Sequence, residues 1–312
     1  MSNSNPQISV VIPLYNKAAH IVETLNSVRQ QRYAAAEIIV IDDGSSDGSA
    51  ELVEQLNWPE LVLIRQENAG VSAARNRGIE AARHDYVGLL DADDHWTPLF
   101  LQEMASAIEA LPGAGLYASA YQYRDSEDVY TDAKIHAHVD GVEAHIMDDY
   151  FAIASRGDLP FITSSVVLER SLFLDRFAFP VGEGMGEDQD VWSQMALYSA
   201  IVYCPRILVI YNREADNRAC IQNIPSQECP FSARLSEVAE GERTSARLRS
   251  DILRYSAAHI LALAKLNIEA GHLSTARAML NDRRCWRKPL HKVRCEVMHW
   301  GSSLSQRGRS RI

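Results

Sequence analysis

Short runs of β-branched residues alternate with stretches of helical period through the first third of the chain, and this alternation restricts the fold more than any other feature. Residues 8–12, 37–41, 61–65 and 86–90 read as strands, separated by helices over 18–31, 49–56 and 71–82. Strands that are apolar along their whole length, rather than at every second position, belong to a parallel sheet covered on both faces. The reading is therefore an α/β fold, Rossmann-like, with a mostly parallel central sheet flanked by helices. In open sheets of this kind ligands bind outside the carboxyl ends of the strands. Here those ends carry Pro13-Leu14-Tyr15-Asn16, Asp42-Asp43-Gly44-Ser45, Gln66-Glu67-Asn68 and Asp91-Ala92-Asp93-Asp94, so the polar chemistry gathers on one edge. Thr97-Pro98 reads as an N-cap with proline at the first helical position, opening a helix that ends before Pro112-Gly113.

Beyond this point the pattern is mixed. A strand is expected over 116–123, a charged loop over 124–134, a short strand over 164–168, a helix over 188–199 and a strand over 207–211, forming an acceptor-side half. After Pro225 and Pro230 the sequence turns helical, roughly 234–270 and 274–282. The division expected is a catalytic domain over 1–229, with a nucleotide-binding half over 1–112 and an acceptor-side half over 113–229, followed by an appended helical region over 230–312.

Charge narrows the partners. The 312 residues carry a formal net charge of -10, which argues against nucleic acid, yet residues 282–312 hold nine Lys/Arg against two acids. That basic tail interleaves cations with Trp286 and Trp300, a pattern suited to peripheral contact with anionic lipid; the plain alternative is a solvated terminus. Cys204, Cys220, Cys229, Cys285 and Cys295 show no disulfide or zinc spacing and fit reduced thiols in a cytosol. No leader-like run opens the chain and no apolar stretch approaches the ~20 residues of a membrane span, so the expectation is a cytoplasmic protein, at most attached to the inner face of the membrane.

Three carboxylates in the four positions Asp91 to Asp94, directly after a buried strand, would repel one another unless a cation sat among them. Mg²⁺ or Mn²⁺ takes oxygen ligands, commonly one or two carboxylates completed by water and substrate phosphate. A lone motif of this kind reads more simply as an acidic turn; its place beside two further acidic strand ends favours the metal. Residues 43–54 match the spacing of a calcium-binding loop, but they follow a strand rather than a helix, and only one such loop exists. Asp43 is instead placed to meet a base N–H. Gly70 starts a helix that carries Arg75 one turn in, which suits an anion. Gly182 to Gly186 precede Glu187 and Asp188 at a helix start, where Asp188 is either a general base or an ordinary first-turn acid.

Together these segments resemble the family 2 glycosyltransferases: Val10 to Asn16 the opening strand, Ile41 to Asp47 the base-binding turn, Asn68 to Gly78 a helix-opening segment, Leu90 to Asp94 the metal motif and Gly186-Glu187-Asp188 the base motif. The resemblance implies the GT-A fold and an inverting transfer from a nucleoside-diphosphate sugar, a UDP-sugar foremost, to a hydroxyl of a saccharide or lipid-linked acceptor. It implies a hexosyl- or N-acetylhexosaminyl-transferase of bacterial surface polysaccharide assembly. Asp188 would be the catalytic base. The donor would meet Pro13, Tyr15, Asp43, Asn68, Gly70, Arg75, Asp91, Ala92 and Asp93; the metal would rest on Asp93, with Asp91 and Asp94 as further candidates; and Glu187 and Trp192 would lie on the acceptor side. Many members add a histidine ligand after the last strand, whereas residues 211–218 contain none. A sugar-nucleotide nucleotidyltransferase, or a non-catalytic sugar- or partner-binding module on the same fold, are the alternatives. The first is expected to show a Gly-rich triphosphate loop after its first strand, and Pro13 to Lys17 is not one.

Overall fold

The computed structural model describes residues 5–137, 141–213 and 224–309, the last six by backbone alone. Contacts divide the chain into two units, one of Met1–Asp148, Asp158–Glu183 and Glu187–Asn217, the other of Asp149–Gly157, Gly184–Gly186 and Arg218–Ile312. The second unit thus takes up two short stretches that precede the helical region in sequence.

The first unit opens as the sequence pattern predicts. Strand β1 (Ile8–Leu14), helix α1 (Ile21–Arg29), β2 (Glu37–Asp42), α2 (Ser49–Gln55), β3 (Leu61–Arg65), α3 (Val71–Ala81) and β4 (Tyr86–Leu89) follow in order. Every residue of β1 and β2 is buried, which explains their unbroken apolar runs. The order β3-β2-β1-β4 is parallel throughout, so the chain moves outward in one direction from β1 and then returns to its other side. The crevice at that reversal lies by the carboxyl ends of β1 and β4. Helix α3 packs tightly there because Gly78 has no side chain: a Cβ on it would fall 2.3 Å from Cγ1 of Val11.

The rest of the sheet is mixed. β5 (His95–Trp96), α4 (Phe100–Ala110), β6 (Leu116–Arg124), β7 (Tyr130–Asp132) and β8 (His145–Ile146) are followed by β9 (Val166–Glu169), α6 (Arg170–Arg176), α7 (Glu187–Tyr198) and β10 (Ile201–Asn212), α5 (Tyr150–Ala154) belonging to the second unit. β9 runs antiparallel between β4 and β6, while β6 and β10 are parallel. Two expectations need correction. Thr97 does not cap α4, which starts at Phe100; its N–H bonds Leu208 O at 2.9 Å, so residues 97–99 form a turn that ties the helix to β10. The charged stretch 124–134 is not all loop, since β7 pairs with β6 within it.

In the second unit the helix expected over 234–270 is two, α8 (Pro230–Glu240) and α9 (Ala246–Glu269). Gly241 ends the first, and the Ser245 hydroxyl accepts the Leu248 N–H to cap the second, a start signal that periodicity alone passes over. α10 (Leu273–Leu280) and α11 (Pro289–Arg309) complete it, so the basic tail is helical through Arg309. Among the described residues no helix is long and apolar enough to cross a membrane. Cys204, Cys229, Cys285 and Cys295 are buried free thiols, and Cys220 lies outside the described residues.

Candidate active site

The loops after β1 and β2 are laced together. Asn16, in the left-handed region at φ 51°, donates its N–H to Ser45 Oγ at 3.0 Å and accepts the Ser46 N–H at 2.8 Å, while Asp47 accepts the Ala18 N–H at 2.9 Å. Asp47 also accepts the Ser49 N–H at the start of α2 and Asp42 accepts the Ser45 N–H, so these acids serve turn and cap, not calcium. Asp43 is buried, and its carboxylate accepts from Gln66 Nε2 at 2.7 Å and from the N–H groups of Ala69 and Gly70 at 2.8 Å each. Three of its four acceptor positions therefore hold the loop before α3, and one, on Oδ2, is left for another donor. Gly70 bends that loop at φ 90°, a conformation costly for any residue with a Cβ. Tyr15 stands 48% exposed at the end of β1, and Asn68 is exposed on the loop, so both are accessible where a ligand would enter. Pro13 is buried within β1 and positions that edge.

Arg75 is the hub. It is buried at 4% exposure, donates through Nη2 to Asp91 Oδ1 and through Nη1 to Glu187 Oε1, both at 2.9 Å, and lies 5.2 Å from the centre of the Phe179 ring. Phe179 is itself fixed by Asn76, which accepts its N–H and donates to its carbonyl. The fork geometry of guanidinium lets one side chain join α3, the end of β4 and the first turn of α7. Next to Glu187, Asp188 is partly buried, its Oδ1 accepting the Gln189 N–H at 2.7 Å. Burial, with the neighbouring Glu187 carboxylate, pushes its pKa up to about 7, while Arg75 and the Gln189 N–H pull the other way.

The three carboxylates of the acidic motif have three different surroundings. Asp91 is paired with Arg75 and its own N–H bonds Ser164 Oγ at 3.1 Å. Asp93 is paired with Lys17 Nζ at 2.7 Å. Asp94 is buried, accepts from Ser164 Oγ at 2.5 Å and from the Asn212 N–H at 3.0 Å, and burial together with Asp93 and Asp91 holds its pKa well above the usual range. Asp94 thus acts as a clasp on the turn before β9 and the end of β10. Ala92 is buried and its carbonyl accepts the Thr24 hydroxyl at 3.0 Å, which fixes the turn.

These residues fit a divalent cation of few protein ligands. Asp91 and Asp93 each keep one hard oxygen outside the ion pairs just described. Among the described residues no three His, Cys, Asp or Glu converge on a point, so a cation held here would need phosphate or water to complete its shell. Residues 214–218, part of the segment where many family members carry a histidine ligand, lie outside the described residues.

Trp192 departs from expectation. It is fully buried, edge-on to Phe161 and Phe179, and so supports the Arg75 cluster from behind instead of facing an acceptor. Lys17 and Ser164 were passed over in the sequence. Lys17 follows directly on Tyr15-Asn16, so its position in the sequence marks it; Ser164 lies about 70 residues from the carboxylates it serves, and no local pattern announces it.

A family model described as Glycosyl transferase family 2 matches residues 9–173, more than half of the chain. The chain belongs to that family. Curated relatives of this family member include an uncharacterized glycosyltransferase, YibD, of Escherichia coli K12, 44% identical over 112 residues that cover 35% of this chain and 33% of that protein. The amylovoran biosynthesis glycosyltransferase AmsB of Erwinia amylovora is 40% identical over 112 residues, 34% and 37% of the two chains. The matched region spans about a third of the length of such relatives. Among solved structures, residues 1–349 of TarS from S. aureus in complex with UDP-GlcNAc superpose with a TM-score of 0.65 at 16% identity, covering 96% of this chain and 92% of that one. A mannosyltransferase from Pyrobaculum calidifontis with GDP-Man and Mn²⁺ gives 0.60 at 19% identity, covering 96% and 88%. At such identities the likeness is one of fold, and it bears out the GT-A architecture with a helical C-terminal region.

Proposed function

We propose that this family member transfers a sugar, with inversion, from a nucleoside-diphosphate sugar to a hydroxyl of a saccharide or lipid-linked acceptor in surface polysaccharide assembly. The observation that carries the reading is the Arg75 bridge, which gathers the acidic motif and the Glu187-Asp188 turn into one cluster. A relative named for amylovoran biosynthesis, and fold neighbours solved with UDP-GlcNAc and GDP-Man, support a nucleotide-sugar donor. A UDP-linked hexose or N-acetylhexosamine is the donor to test first.

The chain's own groups divide the work. The loops held by Asp43, with Tyr15 and Asn68, receive the nucleoside. A cation of the Mn²⁺ or Mg²⁺ class would rest on Asp93 and Asp91, where it neutralises charge on a diphosphate. Asp188 takes the proton of the acceptor hydroxyl as that oxygen bonds the anomeric carbon; the bond from that carbon to the diphosphate oxygen breaks on the opposite face, and nucleoside diphosphate leaves. A carboxylate with a pKa of about 7 suits this role, since it is both partly ionised and basic at neutral pH. Arg75 keeps Glu187 and Asp91 compensated, so that negative charge concentrates on Asp188.

The test is release of nucleoside diphosphate from a panel of nucleotide sugars. Asp188→Asn is expected to leave donor affinity within a few-fold and to lower transfer by ~10²-fold or more. Release of pyrophosphate instead, or an undiminished rate in the variant, overturns the assignment.

A further inference from the structure

The outer face of α11 has a composition that the transferase reading leaves unexplained. Its inner side is packed: Lys292 and Cys295 are buried, and His299 Nε2 lies 2.9 Å from Leu273 O. Its outer side carries Leu290, Val293, Val297 and Trp300 at 84%, 50%, 63% and 67% exposure, and Trp286 in the preceding turn at 62%. Within the helix, Leu290, Val293, Val297 and Trp300 are spaced by three, four and three residues and form one continuous stripe, with Trp286 in the turn at its start. Apolar side chains at this spacing normally face a core; here they face outward.

Charge along this segment is mostly of one sign. Arg294 is exposed on the helix next to the stripe, and Arg283 and Arg287 are exposed in the turn before it, where they line a cavity with Glu228 and Glu240. The nearby acids are used elsewhere, Asp282 by Arg284 at 2.7 Å and Glu296 by Lys292 at 2.9 Å, and between residues 283 and 301 no acid is exposed. The segment from residue 282 onward holds nine of the chain's 31 Lys/Arg but only two of its 41 Asp/Glu. We infer that α11 and the turn before it lie flat on an anionic lipid surface, with the stripe among the acyl chains and the three arginines at the headgroups. Tryptophans bracket the aliphatic residues, which suits the boundary between headgroup and hydrocarbon. Pairing with a second copy through the same stripe would bring together two segments that each hold nine Lys/Arg and two acids, so charge selects lipid over self-association. The inference is independent of the sugar-transfer reading.

Flotation of the full chain with phosphatidylcholine vesicles, with and without phosphatidylglycerol, tests it. Binding is expected to the anionic vesicles, at least tenfold stronger than to the neutral ones and weakened by salt. Leu290→Ser with Trp300→Ser should abolish it without moving the thermal midpoint, since both side chains are exposed, and replacing Arg283, Arg287 and Arg294 by Gln should lower it by on the order of 10²-fold. No flotation, equal binding to both vesicles, or binding indifferent to the stripe variants overturns the proposal. So does a dimer in sedimentation that the serine variants disrupt while vesicle binding is absent.

Discussion

Replacing Arg75 by Met tests whether the buried cation is the keystone of the site. The methionine keeps an unbranched apolar stem against Phe179 and removes the charge. At an effective dielectric of about 20, each ion pair at 2.9 Å contributes several kcal/mol of attraction, and desolvation of a guanidinium at 4% exposure cancels most of it. The net worth of the intact pairs is therefore small, but deletion of one partner strands the others. Glu187 and Asp91, at 14% and 29% side-chain exposure, would face Asp188 with no counter-charge. Loss of one member of such a buried cluster costs about 3–5 kcal/mol. For a unit of this size a loss of 1 kcal/mol lowers the midpoint by about 2–4 °C, so a fall of roughly 6–20 °C is expected. Adding Glu187→Gln should return part of the loss, about 1–3 kcal/mol, because it removes one of the stranded charges. Thermal unfolding followed by circular dichroism on the parent, both single variants and the double variant measures the coupling. An Arg75→Met midpoint within 2 °C of the parent by that measure, or a double variant as unstable as the sum of the singles, would refute the keystone role.

Asp188 must be ionised to act as base, so transfer should rise as pH rises through about 7, and a profile flat from pH 5 to 8 would count against it. A folded-state pKa raised above the unfolded value means stability present at low pH and lost as pH rises through about 7, so Asp188→Asn should raise the thermal midpoint more at pH 8 than at pH 5. Gly78→Ala places a Cβ 2.3 Å from Val11 Cγ1 and should cost about 1–3 kcal/mol in urea unfolding, partly recovered by Val11→Ala. Lys17→Met frees Asp93 of its ammonium, so Mn²⁺ alone should bind more tightly in a thermal-shift titration; equal affinity in variant and parent would show that the cation does not rest on Asp93.

The first, parallel part of the sheet was legible because its signals are local. Leu61–Arg65 matches its expected bounds since a short β-branched run ends at polar residues on both sides, and the positions of Asp43 and Asp91 at strand ends follow from strand direction alone. What was not legible depends on partners distant in sequence. Asp188 and Trp192 lie four residues apart on one face of α7, so grouping both toward an acceptor was reasonable. That face is open only at its first turn; one turn on, Phe161 and Phe179 close over Trp192, and both lie outside the helix. The break at Gly241 was written in the sequence as glycine followed by a capping serine, and apolar periodicity on either side concealed it.

The acidic motif shows how neighbours divide one chemistry into several tasks. Crowding of three carboxylates suggested a cation as the remedy, and within the protein the remedy is partly internal: Arg75 meets Asp91, Lys17 meets Asp93, and Ser164 with the Asn212 N–H meets Asp94. Their consequences differ. A buried carboxyl with a raised pKa and two hydrogen-bond donors is committed to holding β9 and β10 in place, and it has little left to offer a ligand. Asp91 and Asp93 are partly exposed and paired with cations on other elements, so both carboxylates can take a new partner, although the buried Arg75 then needs another anion in place of Asp91. On the proposed function, a diphosphate with a divalent cation would supply both signs at once, the cation to the carboxylates and phosphate oxygens to Lys17 and Arg75. On that reading the pairs of Asp91 and Asp93 are ones that can be traded, while Asp94, held by Ser164 and the Asn212 N–H, keeps the frame.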